Sequence, residues 1–294
     1  MVIAIYLAIV LFSVTQNATT KLFNRHGANA SFFNAIKAIS SLALFGAMAV
    51  YGFTLHLPTV LFGLLYGACL CISMYAGYRA LCLGPMALTS MLVSFSVVIP
   101  LLWGIVFGNE RLSSLRIVGL LLLFCAIILI NGNILFPHRH TEGNGESPAK
   151  MRTDGLWLLF VAVTFLCNGV CSILQKQHQT LYPEAYTDEF MFFAMLLCTL
   201  IFSAVSLSRN RLSESKKIKG KWLGVLSGVA NGLANFFTLA LAGFENASVL
   251  FPVISAGTLL GTVLCGKFLF RERLKLHHYF ALICGMLSVI FLKL

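Results

Sequence analysis

The side chains equipped to hold a polar ligand are few in this chain, and nearly all stand inside long apolar runs. Gln16, Asn17 and Lys21 lie in the first run, Asn34 and Lys37 in the second, Tyr75, Tyr78 and Arg79 in the third, Asn168 in the sixth, and Asn231 and Asn235 in the eighth. A polar group costs free energy in hydrocarbon, so it faces a protein interior or a water-filled space. From this pool we take Gln16, Asn17, Lys21, Lys37, Tyr75, Tyr78, Asn168, Asn231 and Asn235 as candidate substrate contacts. Asn231 and Asn235 share a helical face, beside a stripe of Gly224, Gly228 and Gly232 that suits close helix packing. Two readings stay open for the asparagines, because interhelical hydrogen bonds worth about 0.6–2 kcal/mol each would also place them there. Tyr75 and Tyr78 serve equally as an interfacial belt, with Arg79 at the membrane edge. Lys37 lies roughly 10 Å along its helix, where it contacts a substrate or snorkels to the interface.

What is missing narrows the chemistry. Glu110, Glu245 and Glu272 sit at the ends of runs, and no carboxylate lies mid-run. With Lys21, Arg25 and Lys37 expected to converge near one mouth, the interior is neutral to basic and fits a zwitterionic or anionic metabolite. We expect Glu110 and Glu272 to cap the helix that follows each, or to pair with the adjoining arginine. Pro100, mid-run, deprives the Ser96 carbonyl of its helical donor, producing a kink that shapes a cavity or gates it. The seven histidines lie outside the run centres, so no membrane-embedded enzyme is expected and no catalytic residue is assigned. Cys69-x-Cys71, Cys167-x-x-x-Cys171 and His138-x-His140 lack partner ligands, so neither a metal nor another cofactor is expected. All nine cysteines fall in apolar runs, where thiols act as small apolar groups and form no disulfide framework.

These residues are positioned by a chain unsuited to water. Of 294 residues 59% are hydrophobic and 11% charged, against about 25% charged in soluble domains. The net charge of +11 is spread over short loops and forms no basic face interleaved with aromatics, which excludes nucleic acid as a partner. Runs of about 20 apolar residues read as bilayer-spanning helices, here near 2–23, 30–52, 58–79, 85–107, 113–135, 154–175, 186–207, 220–242, 247–269 and 275–293. The first has no basic residue ahead of it and no cleavage site behind it, so it reads as a retained span. Pro58 and Pro85 stand in first turns, where a missing N–H costs nothing. A polar linker at 137–153 divides a first half, 1–136, from a second, 154–294.

The halves match each other. Gly63 and Gly67 align with Gly224 and Gly228, Ala87 with Ala247, and Gly104 with Gly266; Glu110-Arg-Leu112 aligns with Glu272-Arg-Leu274, all at offsets of 160–162. At an offset of 151, Asn17 and Arg25 align with Asn168 and Lys176. Five spans per half put the second half into the membrane from the opposite face, so the expected fold class is an all-α polytopic membrane protein of ten transmembrane helices in two inverted five-helix repeats. Inverted repeats are a common plan of secondary transporters.

Two five-span halves, each with a glycine-spaced third helix, Glu-Arg-Leu after the fourth and a small-residue fifth, resemble the drug/metabolite transporter superfamily in its ten-helix EamA-like branch. The resemblance covers nearly the whole chain. It implies a carrier for small metabolites, often an exporter, with a cavity lined by helices one, three, four, six, eight and nine. Small multidrug antiporters that resemble one half use an intramembrane glutamate; its absence here disfavours proton-coupled export of cationic drugs. The function expected is transport of a small polar metabolite, such as an amino acid or organic acid, across the cell membrane by a monomer in the lipid bilayer. The rival is a non-transporting scaffold or a lipid-flippase component, which a polar cavity between the halves would argue against.

Lys and Arg in loops report orientation. Of 21 such residues, 16 fall in connections after odd-numbered spans and four on the other side, with Lys37 set aside. That ratio puts both termini outside the cytoplasm, whereas the resemblance implies both inside.

Overall fold

The structure is a computed structural model that describes residues 2–24, 30–49, 53–83, 92–108, 110, 113–130, 155–208, 220–270 and 276–293. Lipid offers no partner for a backbone N–H or C=O, so long apolar runs satisfy those groups internally as helices. Among the described residues every regular element is helical: α1 (Val2–Asn24), α2 (Ala30–Ala49), α3 (Leu57–Leu83), α4 (Val98–Val106), α5 (Ser114–Ile130), α6 (Gly155–Leu181), α7 (Thr187–Ser208), α8 (Lys221–Ala242), α9 (Ala247–Phe270) and α10 (Leu276–Lys293). Seven of these are long and apolar enough to cross a membrane: α1, α2, α3, α6, α7, α8 and α9. The remaining apolar helices, Leu92–Val106, Ser114–Leu129 and Tyr279–Leu292, are shorter. The chain is thus a multi-pass membrane protein. Its outer surface carries large apolar side chains such as Leu7, Leu11, Leu61, Leu65 and Leu158, as a lipid-facing surface requires.

Some boundaries differ from those expected. The sixth span does not stop near residue 175 but runs a further turn and a half to Leu181, because Gln175, Gln179 and their neighbours find partners inside the bundle. Pro100 is buried in α4, and a 3₁₀ turn, Phe95–Val97, precedes that helix. Without a proline N–H, the preceding turn tightens instead of continuing as α-helix. Pro58 is the second residue of α3, as expected. Pro85, Arg25, the linker and Glu272-Arg-Leu274 lie outside the described residues.

The most extensive packing is of α3 with α6 and α7, α8 with α1 and α2, α9 with α1, α4 and α10, α4 with α6, α2 with α7, and α5 with α10, with smaller contacts of α8 with α6, α7 and α9 and of α5 with α9. Glycines allow the closest of these approaches. A Cβ on Gly63 would stand 2.7 Å from the Phe190 carbonyl oxygen, and one on Gly67 at the same distance from that of Ala194, so α3 lies directly on the α7 backbone. Gly228 does the same for α8 on α2 at the Lys37 carbonyl, with Gly224 and Gly232 against the side chains of Ile36 and Leu44, and Ser41 Oγ donates to the Gly228 carbonyl at 2.6 Å. The predicted glycine stripe is therefore a packing face. Two apolar clusters are the largest in the core of the described residues. One joins α1, α4, α5, α8, α9 and α10 around Ile9, Leu123 and Leu250; the other joins α2, α3, α6, α7 and α8 around Phe45, Phe190 and Met195.

One end of the bundle is drawn together by polar contacts. Glu189 at the start of α7 accepts from Thr54 N at 3.1 Å and Thr54 Oγ1 at 3.3 Å, just before α3. His178, near the end of α6, bonds Thr59 in the first turn of α3 at 3.1 Å.

Candidate functional site

Where α3, α6 and α8 meet, three neutral polar side chains close on one another. Tyr66 Oη donates to Asn235 Oδ1 at 2.9 Å, and Gln175 Nε2 approaches both Tyr66 Oη and Asn235 Oδ1 at 3.3 Å. Asn235 is held by its own helix, Nδ2 donating to the Asn231 carbonyl at 2.8 Å. Tyr66 is 3% exposed and its ring packs on Phe190, with centroids 5.3 Å apart. Two turns along α6 from Gln175, Asn168 Oδ1 accepts from Ser73 Oγ of α3, with Cys171 between them on the same face against the Tyr66 carbonyl. The α3–α6 seam thus presents phenol, hydroxyl and amide groups that bond one another.

Toward the gathered end the seam continues as a directed chain. The Gln179 amide is oriented because its Oε1 accepts from Glu184 N at 3.2 Å. Its Nε2 therefore donates to His178 Nδ1, at 3.2 Å. His178 then carries its proton on Nε2 and donates to Thr59 Oγ1, whose hydroxyl donates to His56 Nδ1 at 3.0 Å. The His56 ring stacks on Tyr186 with centroids 4.5 Å apart.

Beside this seam a cavity of about 610 Å³ opens between the halves, lined among others by Trp103, Phe107, Glu110, Lys176, Thr180 and Asn246. Its two charged residues each hold a helix terminus. Glu110 accepts from Ala247 N at 2.7 Å and Ser248 N at 2.9 Å, capping the start of α9. Lys176 Nζ donates to the Ala242 carbonyl at 2.9 Å and that of Glu245 at 2.7 Å, capping the end of α8. Both charges match the helix dipole. Here the expectation for Glu110 is corrected: it caps a helix N-terminus, but that of α9 in the other half, not that of α5. The chain folds back after α4, Glu110 N donating to the Gly104 carbonyl at 3.1 Å, and this lays the carboxylate over Gly104 and across to α9.

The remaining candidates are scattered. Asn231 is buried beside Asn235, in the turn below the triad. Asn17 is exposed and its Nδ2 donates to Thr262 Oγ1 of α9 at 3.2 Å. Gln16 accepts the hydroxyls of Thr19 and Thr20 through its backbone carbonyl. Lys37 is 8% exposed on α2, where its carbonyl meets Gly228. Tyr75, 43% exposed, lies on an outer face of α3 away from the triad. The side chains of Lys21 and Tyr78 lie outside the described residues. Tyr66, Gln175, Ser73, His178 and Lys176 were absent from the candidates. Of these, Gln175 alone had a legible signal, the spacing Asn168, Cys171, Gln175 on one face of the sixth span.

No family model matches the chain, and no curated protein sequence matches it either. Solved structures do: 28 chains match. One of them, a crystal structure, superposes with a TM-score of 0.77 at 14% identity, covering 99% of this chain and 96% of its own. At that identity the likeness concerns fold alone, and it shows that this arrangement of helices, taken end to end, is shared with a solved protein.

Proposed function

We propose that the chain is a secondary transporter, an exporter or exchanger, that moves a small zwitterionic or anionic metabolite such as an amino acid or organic acid. In this reading ten helices form two inverted five-helix repeats of the EamA-like kind, set in the cell membrane, and alternating access occurs between them. The observation that carries it is the pairing of helices. Shifting each label by five turns the α3/α6 pair into α8/α1, α3/α7 into α8/α2 and α4/α6 into α9/α1, while α2/α7, α4/α9 and α5/α10 map onto themselves. Glycines aligned in sequence make the equivalent contacts, Gly67 on α7 and Gly228 on α2. Some pairings break the exchange: α9 packs on α10, α8 on α6 and α7, and α5 on α9, whereas α4 with α5, α3 with α1 or α2, and α10 with α4 are not among the packed pairs of the described residues. An alternating carrier differs between its two states in such pairs. The Tyr66–Gln175–Asn235 triad and the Lys176 cap then close one end, and on the loop-charge orientation that end faces outward.

The test is a thermal-shift screen of the purified protein against metabolite pools, followed by counterflow of the best ligand in liposomes. Exchange above protein-free liposomes that falls at least about tenfold in Asn235→Ala and Gln175→Ala is expected, a loss of about 1.4 kcal/mol or more. No ligand and no exchange from any pool would leave the scaffold reading in its place.

A further inference from the structure

We infer that the outer groove between α6 and α7, floored by α3, is a binding site for an anionic phospholipid, with one acyl chain in the groove and the phosphate on Arg79. The groove encloses about 450 Å³. Its floor is Ala68, Ile72, Tyr75 and Ala76, and Phe160 and Val205 stand in its two walls. Ile72 and Tyr75 are 50% and 43% exposed, so the groove opens outward. In a multi-pass protein that surface meets acyl chains.

Length and charge select the occupant. From Ala68 to Arg79 the α3 axis rises ~16 Å, close to the half-thickness of a hydrocarbon core of about 30 Å. One leaflet's acyl chain fills that length. Arg79 is exposed, one turn beyond Tyr75 and Ala76, and its guanidinium lies over the ring of the wall residue Phe160 at 5.9 Å from the centroid. The ring thus lies under a planar, five-donor cation at the groove's mouth, a group that pairs with phosphate. This mouth is at the end of α3 that leads into a connection after an odd-numbered span, the side rich in Lys and Arg, which the loop-charge orientation places in the cytoplasm, where anionic lipids concentrate. Tyr75 then packs on the lipid and is released from the substrate set. The site is independent of what the protein carries.

The experiment is native mass spectrometry of the purified protein in mild detergent, titrated with dioleoyl phosphatidylglycerol or dioleoyl phosphatidylcholine. Wild-type protein is expected to retain the anionic lipid about fivefold better, the effect of one basic residue at an anionic interface. Arg79→Gln, a surface change, should remove that preference while leaving phosphatidylcholine adducts unchanged, and Ala68→Phe, which fills the floor, should reduce adducts of both lipids. Equal retention of the two lipids by the wild type, an unchanged preference in Arg79→Gln, or unchanged adducts in Ala68→Phe overturns the inference.

Discussion

Glu110 ties the halves together through two backbone N–H groups, and the tie is measurable. Glu110→Ala removes both bonds, at 2.7 and 2.9 Å, and strands the donors of Ala247 and Ser248 in the first turn of α9. Loss of a helix cap costs about 0.5–2 kcal/mol, and bonds to a charged acceptor are worth about 1.5–3 kcal/mol. Because the neighbouring cavity lets water reach this end, we expect about 2 kcal/mol for the pair, the upper capping value. Glu110→Gln keeps one acceptor oxygen and should lose about half of that. Gly104 gives a second handle, since a Cβ there would stand 2.9 Å from Glu110 Oε2 and 3.0 Å from its Cδ. Gly104→Ala therefore displaces the carboxylate and costs about 1–3 kcal/mol in the wild type, yet little once Glu110→Ala has emptied the space. The double-mutant cycle, read by unfolding in mixed micelles as loss of helical ellipticity, should show a coupling of at least about 1 kcal/mol. Strict additivity, or Glu110→Ala within about 0.5 kcal/mol of the wild type, refutes the cross-half cap.

Three further outcomes follow from the packing. Gly67→Ala puts a Cβ 2.7 Å from the Ala194 carbonyl oxygen and should cost about 1–3 kcal/mol, whereas Gly155→Ala, with nothing within 4 Å, should cost nothing in the same unfolding assay. Tyr66→Phe removes the donor to Asn235 and should lower stability by about 1–2 kcal/mol, non-additively with Gln175→Leu because both meet the same Asn235 oxygen. Lys176→Met uncaps the end of α8 and should cost about 1 kcal/mol; it should also raise thiol labelling of a cysteine placed at Thr180 in the adjoining cavity, and unchanged labelling would argue against a closing role.

Apolar run length and glycine period made most of this architecture legible, because both report properties of single helices: whether a segment prefers lipid, and which of its faces admits a neighbouring backbone. Gly63, Gly67, Gly224 and Gly228 accordingly pack helices as their spacing indicated. The asparagines of α6 and α8 were recognisable for the same reason, since a polar residue in an apolar run stands out without any knowledge of its partner. Partner choice was not legible. Glu110 adjoins Arg111 and stands four residues before Ser114, the start of α5, yet it bonds residues 137 and 138 positions away, and only the fold-back after Gly104 decides between those ends. Tyr66 and Gln175 read locally as an aromatic in an apolar helix and a glutamine at a helix end. It took the meeting of α3, α6 and α8 to make them one buried hydrogen-bonded group, because a pairwise bond depends on positions in space that a local pattern of residues does not encode.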